Sequence, residues 1–123
     1  MRSRSRIASF RHAFAGLAHV LRTQRNAWIH ALASLAVVLL ALWLQLSVTH
    51  WALLFLAMAL VWTAEFVNSA LEATVDLASP NLHPLAKVGK DVGAAAVLLA
   101  ALAAALVGFL VLGPPLIERL FGS

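Results

Sequence analysis

The sequence contains no cysteine and no tyrosine, and it is poor in charge. Only 11% of its 123 residues are charged, whereas 63% are hydrophobic, and the mean hydropathy is +0.92. The lack of cysteine excludes a disulfide framework and a cysteine-based metal site. A soluble domain of this length needs more polar residues to cover its core. The composition is therefore typical of a membrane protein.

The few charges are separated along the chain. Of nine basic residues, six precede the first long apolar segment: Arg2, Arg4, Arg6, Arg11, Arg22 and Arg25. Of five acidic residues, four lie between positions 65 and 91: Glu65, Glu72, Asp76 and Asp91. A basic N-terminus is compatible with nucleic acid, but the sequence offers no soluble reading domain. We therefore expect anionic lipid as its partner and no nucleic acid.

Three apolar segments are long enough to predict membrane-spanning helices, which need about 20 residues. The first is Trp28–Leu46, the second begins at Trp51 and loses its apolar character at Glu65, and the third is Val92–Leu112. The intervening SVTH at 47–50 predicts a tight turn and an antiparallel hairpin. We expect no cleavable signal peptide, because 27 residues precede the first apolar segment.

The basic residues also predict the orientation. The N-terminus and the loop that carries Lys87 and Lys90 share one side of the membrane, which the positive-inside rule makes cytoplasmic. Residues 113–123 then form a short tail on the outer side.

The N-terminal segment 1–26 has the pattern of an amphipathic helix. Its large apolar residues recur at spacings of three and four and form one stripe: Ile7, Phe10, Phe14, Leu17 and Leu21. Arg4, Arg11, His19 and Arg22 occupy another face. The pattern favours a helix that lies in the membrane surface; an ordinary packed helix is the alternative.

Small residues recur every four positions in the third span: Ala96, Ala100, Ala104 and Gly108. In lipid, such a ridge lets helix backbones approach closely. It predicts a helix interface and carries no chemistry.

A polar stripe continues from the second span. Only 14 residues, Trp51 to Ala64, separate the start of that span from Glu65, which is about 21 Å of helix. A hydrocarbon core is about 30 Å thick, so Glu65 is predicted to lie inside it. At 3.6 residues per turn, Glu65, Asn68, Glu72 and Asp76 fall within about 80° of one helix face.

Acidic groups at this depth need compensation. Lys87 and Lys90 can supply part of it, and a divalent cation the rest. Carboxylate and amide oxygens suit Mg²⁺, which commonly bridges to substrate phosphates. The alternative is that the stripe lines a helix contact. The residues alone therefore indicate a membrane-interface site for a phosphate and a metal, without a P-loop or a kinase glycine motif.

Two prolines predict how the polar residues meet. Pro80 ends the second helix, and Pro84 suits the first turn of the next. Lys90 and Asp91 then lie two turns into that helix, where they can face the carboxylates of the stripe.

The runs EFVNSALEATVD (65–76) and HPLAKVGKDVG (83–93) resemble the signature of the small prokaryotic diacylglycerol kinase family, which includes the undecaprenol kinases. The similarity extends from about Phe10 to Leu112. It implies an all-α bundle of three-span subunits around a kinase core at 27–112, a homotrimer with shared sites in the bacterial inner membrane, and MgATP as phosphate donor to a lipid alcohol.

The resemblance also implies roles for the polar stripe. Glu65 would be the general base, Asn68 would arrange phosphates and metal, and Glu72 would hold Mg²⁺.

The same resemblance assigns the nucleotide to the other polar residues. Asp76 would support the site, Lys90 would contact the phosphates, and His83 and Asp91 would lie near the nucleoside.

The chain departs from the family pattern at one position. The family usually has a second metal-binding glutamate where this chain has Gln24, which puts metal affinity in question. The run Asn26-Ala-Trp-Ile-His30 resembles the undecaprenol kinase branch, so undecaprenol is the favoured substrate and diacylglycerol the alternative. We expect His30 to be packed or hydrogen-bonded rather than a metal ligand.

Two other functions are compatible with the sequence. An intramembrane glutamate in a small multi-span protein could serve an oligomeric transporter. Gln24 also leaves open a kinase fold that has lost activity and acts as a scaffold.

Overall fold

The computed structural model describes residues 5–122, and this part of the chain is all-α without strands. The helices are α1 (Arg6–Thr23), α2 (Arg25–Leu44), α3 (Val48–Ala78) and α4 (Pro84–Phe121). Three of them, α2, α3 and α4, are long and apolar enough to cross a membrane. The predicted fold class, an N-terminal helix followed by three spans, is confirmed. Arg2 and Arg4 lie outside the described residues.

The first helix is separated from α2 by one residue. Gln24 has an extended backbone (φ −107°, ψ 112°), and its N–H donates to the carbonyl of Val20. The indole Nε1 of Trp28 donates to the carbonyl of Leu21 at 2.7 Å and so ties α2 to the last turn of α1.

Most of the apolar stripe of α1 does not pack against the rest of the chain. Ile7 is 74% exposed, and Phe10 and Phe14 are each 67% exposed. The end of the helix does pack, since Val20 is buried and Leu21 is half-buried. An ordinary packed helix therefore describes only the last turn of α1 within the chain, and the location in the membrane surface stays a prediction.

The connection between α2 and α3 comprises residues 45–47, so the turn predicted at 47–50 was placed two residues too late. Gln45 adopts the left-handed conformation (φ 54°), which reverses the chain. Ser47 caps α3, since its Oγ accepts from the backbone N–H of His50 at 3.3 Å. The serine therefore begins a helix instead of a turn.

The predicted break between the second and third spans is confirmed. Helix α3 ends at Ala78, ahead of Pro80, and α4 begins at Pro84 with His83 as its N-cap. We call this the loop end of the α3–α4 pair, and the end near the 45–47 turn the hairpin end.

Helix α4 continues beyond the predicted third span. It runs through Pro114 and Pro115 to Phe121, so residues 113–121 of the predicted tail are helical. Each proline removes one backbone donor, which a membrane helix tolerates where neighbouring groups or local adjustments of the helix satisfy the freed carbonyls. Near this end, the Arg119 guanidinium lies 4.8 Å from the ring centroid of Trp43. The outer location of this segment stays a prediction.

The core of the chain lies at the hairpin end. Its buried members form the apolar cluster Ala41, Leu54, Val111 and Leu112, which joins α2, α3 and α4. The predicted ridge of small residues is only partly an interface within the chain. Ala100 is buried, Ala96 is exposed, and Ala104 and Gly108 line an open groove.

Candidate functional site

The polar stripe of α3 passes from solvent into the core of the chain. Its four members, Glu65, Asn68, Glu72 and Asp76, become steadily more buried away from the loop end. The Asp76 carboxylate is 63% exposed, Glu72 and Asn68 are half-buried, and Glu65 is 1% exposed. Burial within the chain thus increases from Asp76 to Glu65, while the predicted depth of Glu65 in the membrane stays a prediction.

Helix α4 approaches the stripe closely at Gly93. A Cβ at this position would overlap the side-chain oxygen of Asn68 and would lie 2.9 Å from Cδ2 of Leu71. One turn earlier, a Cβ on Gly89 would lie 3.8 Å from Cγ2 of Val75, which is ordinary contact. Sequence reasoning missed Gly93, although two glycines four residues apart are a signal for close helix packing.

Two buried oxygens of the stripe have no hydrogen-bond partner within residues 5–122: Glu65 Oε2 and Asn68 Oδ1. The Asn68 amide donates through Nδ2 to Glu72 Oε1 at 3.4 Å, which is a weak contact. Leaving a buried acceptor unpaired costs about 1–3 kcal/mol. Groups of this kind are typical of sites that bind a ligand, because the ligand then supplies the missing partner.

An ion pair joins the two helices at the loop end. The Lys90 ammonium contacts Asp76 Oδ1, so α4 supplies a cation at the exposed end of the stripe. Lys90 precedes the uncharged segment that begins at Val92, so we expect it to lie outside the membrane-spanning part. The hydrogen bond from Lys90 to Asp76 raises the pKa of the lysine above its ordinary value, with a smaller contribution from the charge of Glu72. Lys90 is therefore charged at neutral pH.

The other two predicted nucleotide residues make local contacts on α4. Asp91 Oδ2 lies 2.5 Å from Lys87 Nζ, and both side chains are largely exposed. His83 Nδ1 accepts from the backbone N–H of Leu85 at 3.1 Å and caps the helix. The structure thus joins Lys90 to the polar stripe, while Asp91 and His83 stand beside the site.

The structure adds His30 to the buried end of the stripe. Its Nε2 lies 3.5 Å from Glu65 Oε2. The imidazole also packs edge-on against Trp62, with ring centroids 6.3 Å apart and an interplanar angle of 65°. Trp62 in turn donates from Nε1 to Ser34 Oγ at 3.2 Å. The sequence could not reveal this contact, because His30 and Glu65 lie on different helices.

No group of three or more histidine, aspartate or glutamate side chains in the described chain could hold a metal ion unaided. Mg²⁺ commonly binds proteins through one or two carboxylates and completes its shell with water and substrate phosphates. The Glu72 carboxylate suits that mode. Asn68 directs its Nδ2 at Glu72 and its Oδ1 at Gly93, so its amide would have to rotate before its oxygen could join Glu72 at a metal. A metal enclosed entirely by protein ligands does not fit these residues.

An apolar groove of about 480 Å³ lies between α2, α3 and α4. It begins at His30 and Ser34, continues past Met58 and Gly108, and reaches Leu116. A second cavity of about 240 Å³ lies on another side of His30, next to Asn26 and Ala94. His30, which contacts Glu65, therefore lines both the groove and the second cavity.

Comparisons with known proteins identify the family of the chain. The family model "Prokaryotic diacylglycerol kinase" matches residues 11–112. The chain is 46% identical over 113 residues to a diacylglycerol kinase of Synechocystis sp., covering 91% of this chain and 65% of that protein. It is 39% identical over 108 residues to the undecaprenol kinase of Bacillus subtilis, covering 88% of each chain. A diacylglycerol kinase of Escherichia coli is 38% identical over 87 residues, covering 65% of this chain and 71% of that protein.

The fold and the site define a class of protein. It is an all-α membrane protein with three spans, a buried carboxylate, and a lysine at the exposed end of a polar stripe. The chain belongs to the prokaryotic diacylglycerol kinase family, whose similar members carry the names of lipid kinases.

Proposed function

We propose that this protein is an ATP-dependent lipid kinase that phosphorylates the hydroxyl group of a membrane lipid alcohol. The observation that carries the proposal is the polar stripe, which has a fully buried carboxylate at Glu65 and the Lys90 cation at its exposed end. A lipid hydroxyl reaches the site from the bilayer, and a nucleotide reaches it from the aqueous side.

In the proposed reaction, the Glu65 carboxylate takes the proton of the lipid hydroxyl. The hydroxyl oxygen forms a bond to the γ-phosphorus of ATP, and the bond from that phosphorus to the bridging oxygen breaks, which releases ADP. A positioned general base contributes about 10²–10⁴-fold to the rate. Most of the remaining catalysis of phosphoryl transfer comes from positioning and charge stabilisation.

The nucleotide is proposed to lie at the loop end. There Lys90 would exchange its contact with Asp76 for the phosphates. Glu72, with Asn68 beside it, would hold Mg²⁺, which neutralises charge on the β- and γ-phosphates when bound. The resemblance to the family adds His83 and Asp91 near the nucleoside; their exposed positions at the start of α4 leave them accessible for that role.

The lipid substrate is proposed to be undecaprenol, with diacylglycerol as the alternative. Support comes from the run Asn26-Ala-Trp-Ile-His30 and from the 88% coverage in both directions of the relative named undecaprenol kinase. The relatives named diacylglycerol kinase keep the alternative open, so both lipids belong in the assay.

We also propose a homotrimer in the bacterial inner membrane with a cytoplasmic N-terminus. In the most apolar window of each span, only 11%, 22% and 17% of the residues are buried within one chain. Much of each helix is therefore available to neighbouring subunits or lipid. The exposed apolar stripe of α1, flanked by arginines, suits an anionic cytoplasmic membrane surface.

The test is phosphate transfer from labelled ATP in mixed micelles that contain Mg²⁺ and one lipid alcohol at a time. We expect label in the lipid fraction with the wild-type protein. We expect Glu65→Gln to lower kcat by about 10²–10⁴-fold, because the amide keeps the shape of the side chain but takes no proton. Glu118→Gln, an exposed position at the far end of α4, is the matched control and should keep wild-type activity.

Other outcomes would contradict the proposal. Absence of label with either lipid at every Mg²⁺ concentration would favour a scaffold. Equal activity of Glu65→Gln and Glu118→Gln would remove the general base from Glu65. Proton-coupled uptake in vesicles without lipid labelling would favour a transporter.

A further inference from the structure

We propose that His30 is a positioning residue that holds the Glu65 carboxylate in its reactive orientation through an Nε2–H contact. This inference rests on the proposed function, because it concerns the base of that reaction. The observation behind it is the approach of His30 Nε2 to within 3.5 Å of Glu65 Oε2, an oxygen that has no hydrogen-bond partner among the described residues.

The chemistry of the two groups fixes the direction of this contact. An ionised carboxylate can only accept hydrogen bonds, so the facing imidazole nitrogen must carry the hydrogen. The separation exceeds the usual N–H···O range of about 2.7–3.2 Å, and hydrogen bonds at catalytic groups are often long before substrate binds. A small shift of either side chain closes the gap.

The imidazole is itself held in place. It packs edge-on against Trp62, and Trp62 is fixed by its hydrogen bond to Ser34. The His30 side chain is only 18% exposed, so it has little room to turn away. A donor fixed by its neighbours can fix the carboxylate that it contacts, whereas a solvated donor could not.

His30 lines the apolar groove and contacts Glu65. The imidazole lines both cavities, while Glu65 lines neither of these two spaces and is 1% exposed. A lipid hydroxyl that arrives along the groove would therefore meet His30 beside the base. Displacing a base by about 1 Å can lower a rate by about 10²-fold, so control of the Glu65 rotamer has a large kinetic effect.

Two substitutions separate the donor from the ring. His30→Gln keeps an N–H donor at a similar reach but loses the aromatic ring. His30→Phe keeps the ring against Trp62 but loses the donor, and His30→Leu is a second variant without a donor. We expect His30→Gln to keep kcat within about threefold of the wild type, and the two donor-free variants to lose about 10–100-fold.

The expected defect lies in kcat and leaves the KM for ATP unchanged. Lys90 and Asp76, the proposed nucleotide residues, lie at the opposite end of the stripe from His30. His50→Phe is the matched control: it makes the same substitution at the hairpin end of α3 and should leave kcat unchanged. Thermal unfolding in detergent identifies any variant that does not fold, and the other donor-free variant then carries the comparison.

Three results would overturn the inference while the proposed function stands. In the first, the wild type transfers phosphate and the donor-free variants have the same kcat. In the second, His30→Phe has a higher kcat than His30→Gln, which would indicate that packing of the ring matters instead of the donor. In the third, the variants change only the KM for ATP. A wild type that labels no lipid would instead overturn the proposed function, and the inference with it.

Discussion

The two ends of the α3–α4 pair are packed on different principles. At the hairpin end, the apolar cluster of Ala41, Leu54, Val111 and Leu112 is buried and contains no polar group. From the loop end inward, the helices meet through Lys90, Gly93 and the polar stripe, and two buried oxygens of the stripe have no hydrogen-bond partner among residues 5–122. Unpaired buried acceptors lower stability, whereas apolar packing raises it. The comparison teaches that the hairpin end holds the fold together, while the loop end keeps polar groups ready for a ligand.

The largest effect on stability is expected at the hairpin end. Leu54 is 2% exposed, so Leu54→Ala leaves a cavity inside the apolar cluster. A buried Leu→Ala change costs about 2–5 kcal/mol in soluble proteins, and we expect the lower part of that range because lipid removes part of the solvent transfer term. Thermal or denaturant unfolding in detergent measures the loss.

The matched control for this prediction is Leu56→Ala, since Leu56 lies on the same helix and is 69% exposed. It should change the free energy of unfolding by well under 1 kcal/mol. Equal losses in both variants would mean that the hairpin end does not carry the stability of the fold.

An intermediate effect is expected where the backbones meet at the loop end. Gly93→Ala forces its new methyl group against the ends of the Asn68 and Leu71 side chains, and overpacking of this kind costs about 1–3 kcal/mol. The better helix propensity of alanine offsets about 1 kcal/mol of this cost, so we expect a net loss of up to about 2 kcal/mol. Because Asn68 belongs to the polar stripe, we also expect kcat to fall. Unfolding in detergent and the lipid-labelling assay measure the two effects.

Gly108→Ala supplies the control on the same helix. A Cβ at Gly108 meets nothing within 4 Å, and alanine is the better helix former by about 1 kcal/mol. This variant should therefore be as stable as the wild type or slightly more stable. A destabilised Gly108→Ala beside an unaffected Gly93→Ala would show that the close approach lies elsewhere.

The smallest effect is expected on the Mg²⁺ requirement of the enzyme, and it is tested by comparing two glutamines at helix breaks. Gln24 lies between α1 and α2 and has the position where the family usually carries a metal-binding glutamate, whereas Gln45 lies in the hairpin turn. If the amide of Gln24 is a weak Mg²⁺ ligand, Gln24→Glu should lower the Mg²⁺ concentration for half-maximal activity by a few fold, because a carboxylate compensates the charge better. Gln45→Glu should leave it unchanged. An unchanged Mg²⁺ demand in Gln24→Glu would remove position 24 from the metal site.

The sequence predicts the helices and the polar stripe well, because both depend on properties of single segments. An uncharged run of 21 residues at 92–112 is too costly to expose to water, and spacings of three and four put Glu65, Asn68, Glu72 and Asp76 on one face whatever surrounds them. The break before Pro84 follows in the same way from backbone chemistry.

Boundaries that depend on competing local signals were harder to predict. At Ser47, a turn residue proved to be the cap of α3, and at Pro114 a helix breaker proved to lie within α4. For Ser47, the hydrogen bond from the N–H of His50 to its Oγ marks the start of the helix. For Pro114, the helix continues without a break to Phe121.

The sequence by itself determined that the chain is a helical membrane protein and that one helix carries acidic groups next to its apolar segment. Charged side chains within a membrane are costly, so their presence indicates a functional site. The sequence also predicted that Lys90 can face the acids of that helix. Tertiary structure decided that Lys90 pairs with Asp76 in particular, that α4 approaches Asn68 at Gly93, and that His30 approaches Glu65, because these contacts form only when three helices are packed together. Contacts between helices depend on relative rotation and distance, and neither quantity is encoded in the periodicity of a single segment.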